Sequence, residues 1–480
     1  MTEIHSGLDP RRWQALALVC VAFFMTILDV SIVNVALPSI KTSLNVSDSS
    51  LQWVLIAYAI TFGGFLLLGG RLADLLGRRR IFMIGVAIFS AASLACGLAG
   101  SIGVLVAARA VQGLGAALVS PATLSIITTT FEEGAERNKA LGIWGAMGGS
   151  GAAAGVLFGG LLTNYLGWEW IFFVNVPVGV VVLLLTRTVV RESRIEGLHG
   201  FDVGGAITVT ASLALLTYAV SKAPDVGWAT ARTIGLLVAS GILLLAFIAI
   251  ERRNRAPLVP FRIFRVKTLT GANVSGVLLG AVVYANFFLL TLYVQQVLGH
   301  SALKTGLTFL VTAGTVIPVA GASQALTTRI GPRPVLATGL ALITGGMLFY
   351  TQIPVDGSFV SNLLVGYLLV GVGMAFAFIP MSIAALAGVE AREAGLASGL
   401  INTSQQVGGA LGVAIASTVA FTHATSLLKT GSSQPSAYTS GFALAFWVLA
   451  GISAAGVVAA LVLVRSAEPA VEAEAVQASG

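Results

Sequence analysis

The chain is 480 residues long, 56% hydrophobic and only 10% charged, with a mean hydropathy of +0.92. Soluble globular domains carry about 25% charged residues, so a soluble enzyme or soluble binding module is excluded and an all-α integral membrane protein is expected. The net charge of +7 must then be explained by membrane topology and anionic lipid, not by a nucleic-acid partner.

Apolar stretches of about 20 residues, the length that crosses a bilayer, number fourteen: roughly 14–37, 51–69, 81–99, 103–127, 140–162, 171–189, 203–221, 233–250, 269–292, 305–326, 334–352, 360–386, 397–421 and 441–464. The first follows Arg11 and Arg12 as a secretory leader would, but it is too long and lacks a small-residue cleavage site, so it is read as a retained span. Cys20 and Cys96 lie inside apolar runs and read as small buried hydrophobes. With both termini on the cytoplasmic side of an inner membrane, the inner segments hold 21 of the 27 Lys and Arg and the outer loops five, with Arg109 inside the membrane. That asymmetry is the positive-inside pattern.

Of the 20 acidic residues, 19 fall in loops, tails or helix ends, and the exception, Asp29, stands in the first span. A carboxylate at mid-membrane costs about 2.5–3.5 kcal/mol on insertion scales, and such residues mark ion or proton paths. After the second span the chain reads Gly70-Arg71-Leu72-Ala73-Asp74-Leu75-Leu76-Gly77-Arg78-Arg79-Arg80. A positive-inside anchor accounts for the arginines, but not for Asp74 between Gly70 and Gly77. Asp74 can pair with arginine at helix ends while the glycines allow close approach and a tight turn, so the cluster of Gly70, Arg71, Asp74, Gly77, Arg78 and Arg79 can act as a conformational latch.

At these positions the chain resembles the major facilitator superfamily. The run Asp29-Val30-Ser31-Ile32-Val33-Asn34-Val35-Ala36-Leu37-Pro38 resembles the first-helix motif of its fourteen-span drug/proton antiporters. Trp168-Glu169-Trp170-Ile171-Phe172-Phe173-Val174-Asn175-Val176-Pro177-Val178-Gly179 resembles their sixth-helix entry, with Glu169 where members usually carry Arg. On physical grounds alone Trp168 and Trp170 form an interfacial belt. In the fourth span Arg109, Gln112 and Gly113 share a helical face. This is similar to the motif whose arginine the family implicates in proton coupling. Asp29 and Arg109 both fall roughly 6–9 Å outward of the bilayer centre at 1.5 Å rise per residue, which pairs them in depth; a static ion pair gluing helices is the competing reading.

The fifth span carries Gly142, Gly151, Gly155, Gly159 and Gly160, the spacing of the family's antiporter motif, with Val156 where its proline stands. Glycines every fourth residue let helices pack closely. Gly149-Ser150-Gly151 is no dinucleotide fingerprint, because no strand precedes it, and no Walker A pattern occurs; no cofactor and no metal is expected. Gly142, Gly151 and Gly155 recur at identical spacing as Gly399, Gly408 and Gly412, and the loop 72–81 has a weaker echo in 326–335. Repeated halves are a transporter signature. The expected division is an N-terminal six-helix half (1–190), two inserted helices between basic flanks (191–268), a C-terminal six-helix half (269–465) and a disordered tail (466–480).

The resemblance implies a central cavity. Asn34, Tyr58, Gln112, Trp144, Tyr284, Asn286, Phe287, Asn402, Gln405 and Gln406 offer it aromatic faces and neutral hydrogen-bonding groups, although each is also suited to packing between helices. The resulting expectation is a monomeric, proton-coupled exporter of hydrophobic or amphiphilic small molecules, of the kind that confers antibiotic or multidrug resistance; a dedicated exporter of one endogenous metabolite or siderophore is the alternative. A membrane enzyme would need clustered His, Cys or carboxylates, and a sensor would need a soluble signalling domain, neither of which the sequence contains.

Overall fold

The computed structural model describes residues 10–132, 135–194, 202–254, 257–389 and 394–464. Lipid offers the backbone no hydrogen bonds, so a spanning segment must satisfy its own; among the described residues the chain is helical throughout, with no strand. The long helices are α1 (Arg12–Leu44), α2 (Trp53–Leu76), α3 (Arg78–Gly97), α4 (Ile102–Thr130), α5 (Ala135–Tyr165), α6 (Trp170–Val189, broken at Val174), α7 (Val203–Val226), α8 (Ala231–Arg253), α9 (Lys267–Leu292, continued by a π turn), α10 (Ala302–Ile330), α11 (Pro332–Tyr350), α12 (Phe359–Leu386), α13 (Ala394–Lys429) and α14 (Gln434–Leu463). Among the described residues thirteen are counted as long and apolar enough to cross a membrane. The fourteenth, the glycine-rich α5 of 31 residues, packs in the same bundle against α1 and α10.

Several helices outrun the apolar stretches that predict them. The first apolar stretch ends at Leu37, but α1 continues through Pro38 to Leu44, although proline offers no N–H to the helix ladder. Thr42 Oγ1 donates to Pro38 O at 3.0 Å and Asn34 Nδ2 to Val30 O at 2.9 Å, adding side-chain hydrogen bonds around the interrupted turn. Asn45, in the left-handed region, then ends the helix. The proposed tail and the basic residues Arg392 and Arg465 lie outside the described residues.

The repeated glycines do the same work twice. Gly151 and Gly155 of α5 lie on α1 against Ile27, Leu28 and Ser31, while Gly408 and Gly412 of α13 lie on α9 against the backbone of Val277 and Ala281. In each six-helix half the fifth helix is thereby pressed onto the first. The basic loops gather at one end of the bundle, called here the basic end. Contacts between the halves occur at the centre and towards the opposite end: Thr403 Oγ1 donates to Gly63 O at 3.1 Å, Gln295 Nε2 to Val35 O at 2.8 Å, and Ser417 Oγ to Gln52. There too Gly160 of α5 meets Leu303 of α10, and Gly306 meets Val156.

The inserted pair α7 and α8 is joined by reciprocal bonds, Ser212 Oγ to Ser240 O at 2.8 Å and Ser240 Oγ to Ser212 O at 2.9 Å. α7 rests on both halves: Thr210 lies against Gly64 of α2, and Thr418 of α13 donates to Val220 O at 3.4 Å. α8 leaves Val238, Ile242 and Leu245 exposed, an apolar face suited to lipid.

Candidate functional site

Asp29 is brought against Arg109 as its depth predicts, and the two form an ion pair of 2.6 Å with side-chain exposures of 0% and 1%. The helices that place them are α1 and α4, each rigid and long, so the pair is held from both backbones. Around it the chain builds a polar network in an otherwise apolar bundle. Gln112 Nε2 donates to Asp29 Oδ1 at 2.8 Å, and Asn175 Nδ2 donates to the same oxygen at 3.1 Å. Arg109 also donates to Gln112 Oε1 at 2.8 Å and to the carbonyl of Val54 at 3.0 Å. Ser93 Oγ accepts from Gln112 and Asn175 at 3.2 and 3.1 Å and donates to Phe172 O at 2.9 Å. The Arg109 guanidinium lies over the Tyr58 ring, 4.2 Å from its centroid, and Tyr58 Oη has no hydrogen-bond partner.

Burying an ion pair repays its desolvation only where the geometry is good and the remaining lone pairs are met. Here both carboxylate oxygens are met, and all five hydrogen-bonding members, from α1, α3, α4 and α6, are buried. Such a centre can hold or release a proton only when the packing around it opens.

Sequence reasoning placed Gln112 among the substrate contacts; the structure instead puts it in the Asp29 network, fully buried between Arg109, Ser93 and Asn175. Asn175 was quoted only as part of a resemblance, and Ser93 was missed. A neutral amide or hydroxyl in an apolar run gives no signal comparable to a charge. Trp168, expected at the interface, is buried at the head of α6, while Trp170 two residues on is exposed.

The cluster at the junction of α2 and α3 is not a loop: Gly70, Arg71 and Asp74 lie in the last turns of α2 and Arg78 and Arg79 in the first turn of α3, with Gly77 between them, and it ties the two helices to α4. Asp74 Oδ1 accepts from Arg78 Nε and Nη2 at 3.1 and 2.9 Å and from Ser125 of α4 at 3.3 Å. Gly70 approaches Pro121 of α4, Arg71 is half-buried, and Gly77 adopts φ +110°, a conformation open to glycine. The partner that sequence reasoning missed is Glu192, whose two oxygens take the amides of Arg79 and Arg80, both at 3.1 Å. A carboxylate there satisfies orphan donors at the start of α3. The Glu192 carboxylate also lies 3.7 Å from Arg79 Nε.

The remaining cavity candidates divide. Tyr284 Oη donates to Gln406, joining α9 to α13, and Asn286 is buried with Oδ1 unpartnered. Phe287 packs on Phe309, with ring centroids 5.0 Å apart, and Trp144 stacks on Phe23 while donating to Thr123. Gln405 is half-buried; Asn402 is exposed and bonds back to Ser398 O on its own helix. Asn34 likewise bonds its own helix at Val30 O. Gly159 meets Ile32 of α1, and Gly142 lies on α5 nearer the basic end.

A family model described as Major Facilitator Superfamily matches residues 19–413. The chain is 39% identical to a puromycin resistance protein of Streptomyces alboniger over 91% of this chain and 87% of that one. It is 40% identical to a cephamycin export protein of Amycolatopsis lactamdurans, over 84% of each. Among solved structures, a bacterial homologue of the human lysosomal transporter Spinster superposes with a TM-score of 0.68 at 16% identity, over 96% of this chain and all of that one.

Proposed function

We propose, from the premise that this chain belongs to the Major Facilitator Superfamily, that it exports hydrophobic or amphiphilic antibiotics and other toxic small molecules in exchange for protons, as a carrier and not an enzyme. The relatives' named roles in puromycin resistance and cephamycin export support the substrate class. The observation that carries the coupling is the Asp29–Arg109 pair: one titratable group, fully buried, held by residues from four helices of one half.

In this reading residues 1–190 and 269–465 rock about a central site, with 191–268 as an insert, both termini in the cytoplasm and the protein working as a monomer in the inner membrane. Opening towards the outside wets Asp29 and lets it take a proton; opening inward releases it. Tyr58, Trp144, Tyr284, Asn286, Phe287, Gln405 and Gln406 supply aromatic and neutral polar contacts to the substrate. The C-terminal helices embed no acid among the described residues, so neutral or singly charged amphiphiles fit and rigid dications do not. A relative named for one compound, cephamycin, favours a narrower second reading, in which this chain serves a single endogenous metabolite.

In proteoliposomes, an imposed proton gradient should drive uphill export by the native chain, while Asp29→Asn should retain only gradient-free exchange. Uphill transport at the native rate in Asp29→Asn would defeat the coupling role. Reporter fusions after Arg80, Arg194 and Arg265 should read cytoplasm, and those after Asn45, Lys222 and Ser358 the exterior.

A further inference from the structure

The inserted helices carry a second buried acid centre that the exporter reading leaves unused. Asp202 precedes α7 and caps it, Oδ1 accepting from Gly205 N at 2.6 Å. Glu251 sits in the last turn of α8, and its oxygens accept from Leu258 N and Val259 N at 3.3 and 3.0 Å, tying down the loop that leads to α9. From the sequence both count among the acids of loops and helix ends. In the structure each is only 3% exposed.

The two carboxyl groups face each other. A Cβ on Gly205 would stand 2.7 Å from Asp202 Oδ2 and 2.9 Å from Glu251 Oε1, so both acids converge on one point of the first turn of α7, left clear because residue 205 has no side chain. Asp202 Oδ2 is buried and receives no hydrogen bond. An ionised carboxylate only accepts hydrogen bonds, so two of them in contact repel, and the arrangement is satisfied when one carries a proton and donates it to the other.

No cation substitutes for that proton among the described residues. Asp202 is the titratable group that acts on Glu251, and Arg252 and Arg253 on α8, Arg262 and Arg265 on the short helix after Pro260, and Lys267 at the start of α9 are all exposed. α7 meets α2 and α13 through Thr210 against Gly64 and through Thr418 against the Val220 carbonyl, groups that do not titrate.

We propose that Asp202 and Glu251 hold one proton between them and form a second proton-binding site, at the basic end of the inserted hairpin and independent of Asp29. The proton is taken from, and returned to, water at that end. Its loss leaves two facing carboxylates, which drives Glu251 off the Leu258 and Val259 amides and frees the loop into α9, at the foot of the helix that rests on both halves.

Infrared difference spectra of the full-length protein in lipid vesicles, stepped between pH 6 and pH 9, test this. A protonated-carboxyl band should be present at the lower pH and lost at the higher. It should be absent from Glu251→Gln and Asp202→Asn, which keep the shape of the pair, and retained in Asp29→Asn. Native protein carrying carboxyl-13C glutamate and aspartate should show the band at the shifted frequency, a measurement that does not depend on any variant folding. A native protein with no such band overturns the proposal, as does a band that survives in both variants of the pair.

Discussion

Replacing Arg109 with alanine removes the positive charge from a pocket in which Asp29 has no exposure to water. Asp29 keeps the amide donors of Gln112 and Asn175 at 2.8 and 3.1 Å, but these are dipoles, and removing one member of a buried pair costs about 3–5 kcal/mol because the other charge is left uncompensated. The loss of the guanidinium over Tyr58, 4.2 Å from the ring centroid, adds up to about 2 kcal/mol. Asp29→Asn alone leaves Arg109 uncompensated in the same way. The double variant buries no charge, keeps only the cavity and the loss of the side-chain bond to the Val54 carbonyl, and should be more stable than Arg109→Ala, with a coupling energy of about 2–3 kcal/mol between the two sites. Denaturant unfolding in one detergent, followed by tryptophan fluorescence, measures all four corners of the cycle. The double variant should recover stability without regaining proton-driven export. If the two single costs simply add, Asp29 and Arg109 do not sustain each other and the reasoning fails.

Asn175→Ala should cost about 1.5–3 kcal/mol, the range for a hydrogen bond to a charged group, read in the same unfolding assay. Gly160→Val places a Cβ where the Leu303 backbone already stands 2.8 Å away, so it should force α5 from α10 and raise the rate at which cysteines introduced at Thr163 and Ser301 react with a water-soluble thiol reagent. Glu192→Gln removes the negative charge at the start of α3 and should lower stability by about 0.3–1 kcal/mol; thermal melts with and without high salt check it, since salt should shrink the difference. His300, between α9 and α10, is held below the ordinary 6.5 by burial and then by the Lys304 charge. The folded state therefore favours neutral imidazole, and its stability should fall as pH drops through the ordinary histidine range; a proton NMR titration of His300, raised in Lys304→Ala, tests the sign.

What the sequence made legible follows from contrast. A charge in an apolar run is conspicuous, so Asp29 and Arg109 stood out and their matching depth supported a pairing, and the repeated glycines showed that the halves repeat, though not which helices they press together. Asn175 and Ser93 could not be found that way: they are neutral, and Asn175 reaches a carboxylate 146 residues away. Asp202 and Glu251 were concealed by the opposite problem, since acids beside arginine-rich loops look like ordinary solvated helix ends. Their burial depends on how the loop after α8 folds back, which no periodicity encodes. Helix ends were misjudged wherever a helix such as α1 continues beyond its apolar core.

The placement of α7 also makes the two seams between the halves unequal. The halves meet along two seams, one where α2 packs on α13 and one where α5 packs on α10. The inserted hairpin is seated along the first, with α7 touching α2 at Gly64 and α13 at Thr418 and with α8 turned outward. Among the described residues the second seam has no such cover, and it is closed by direct contact where Gly160 meets the backbone of Leu303.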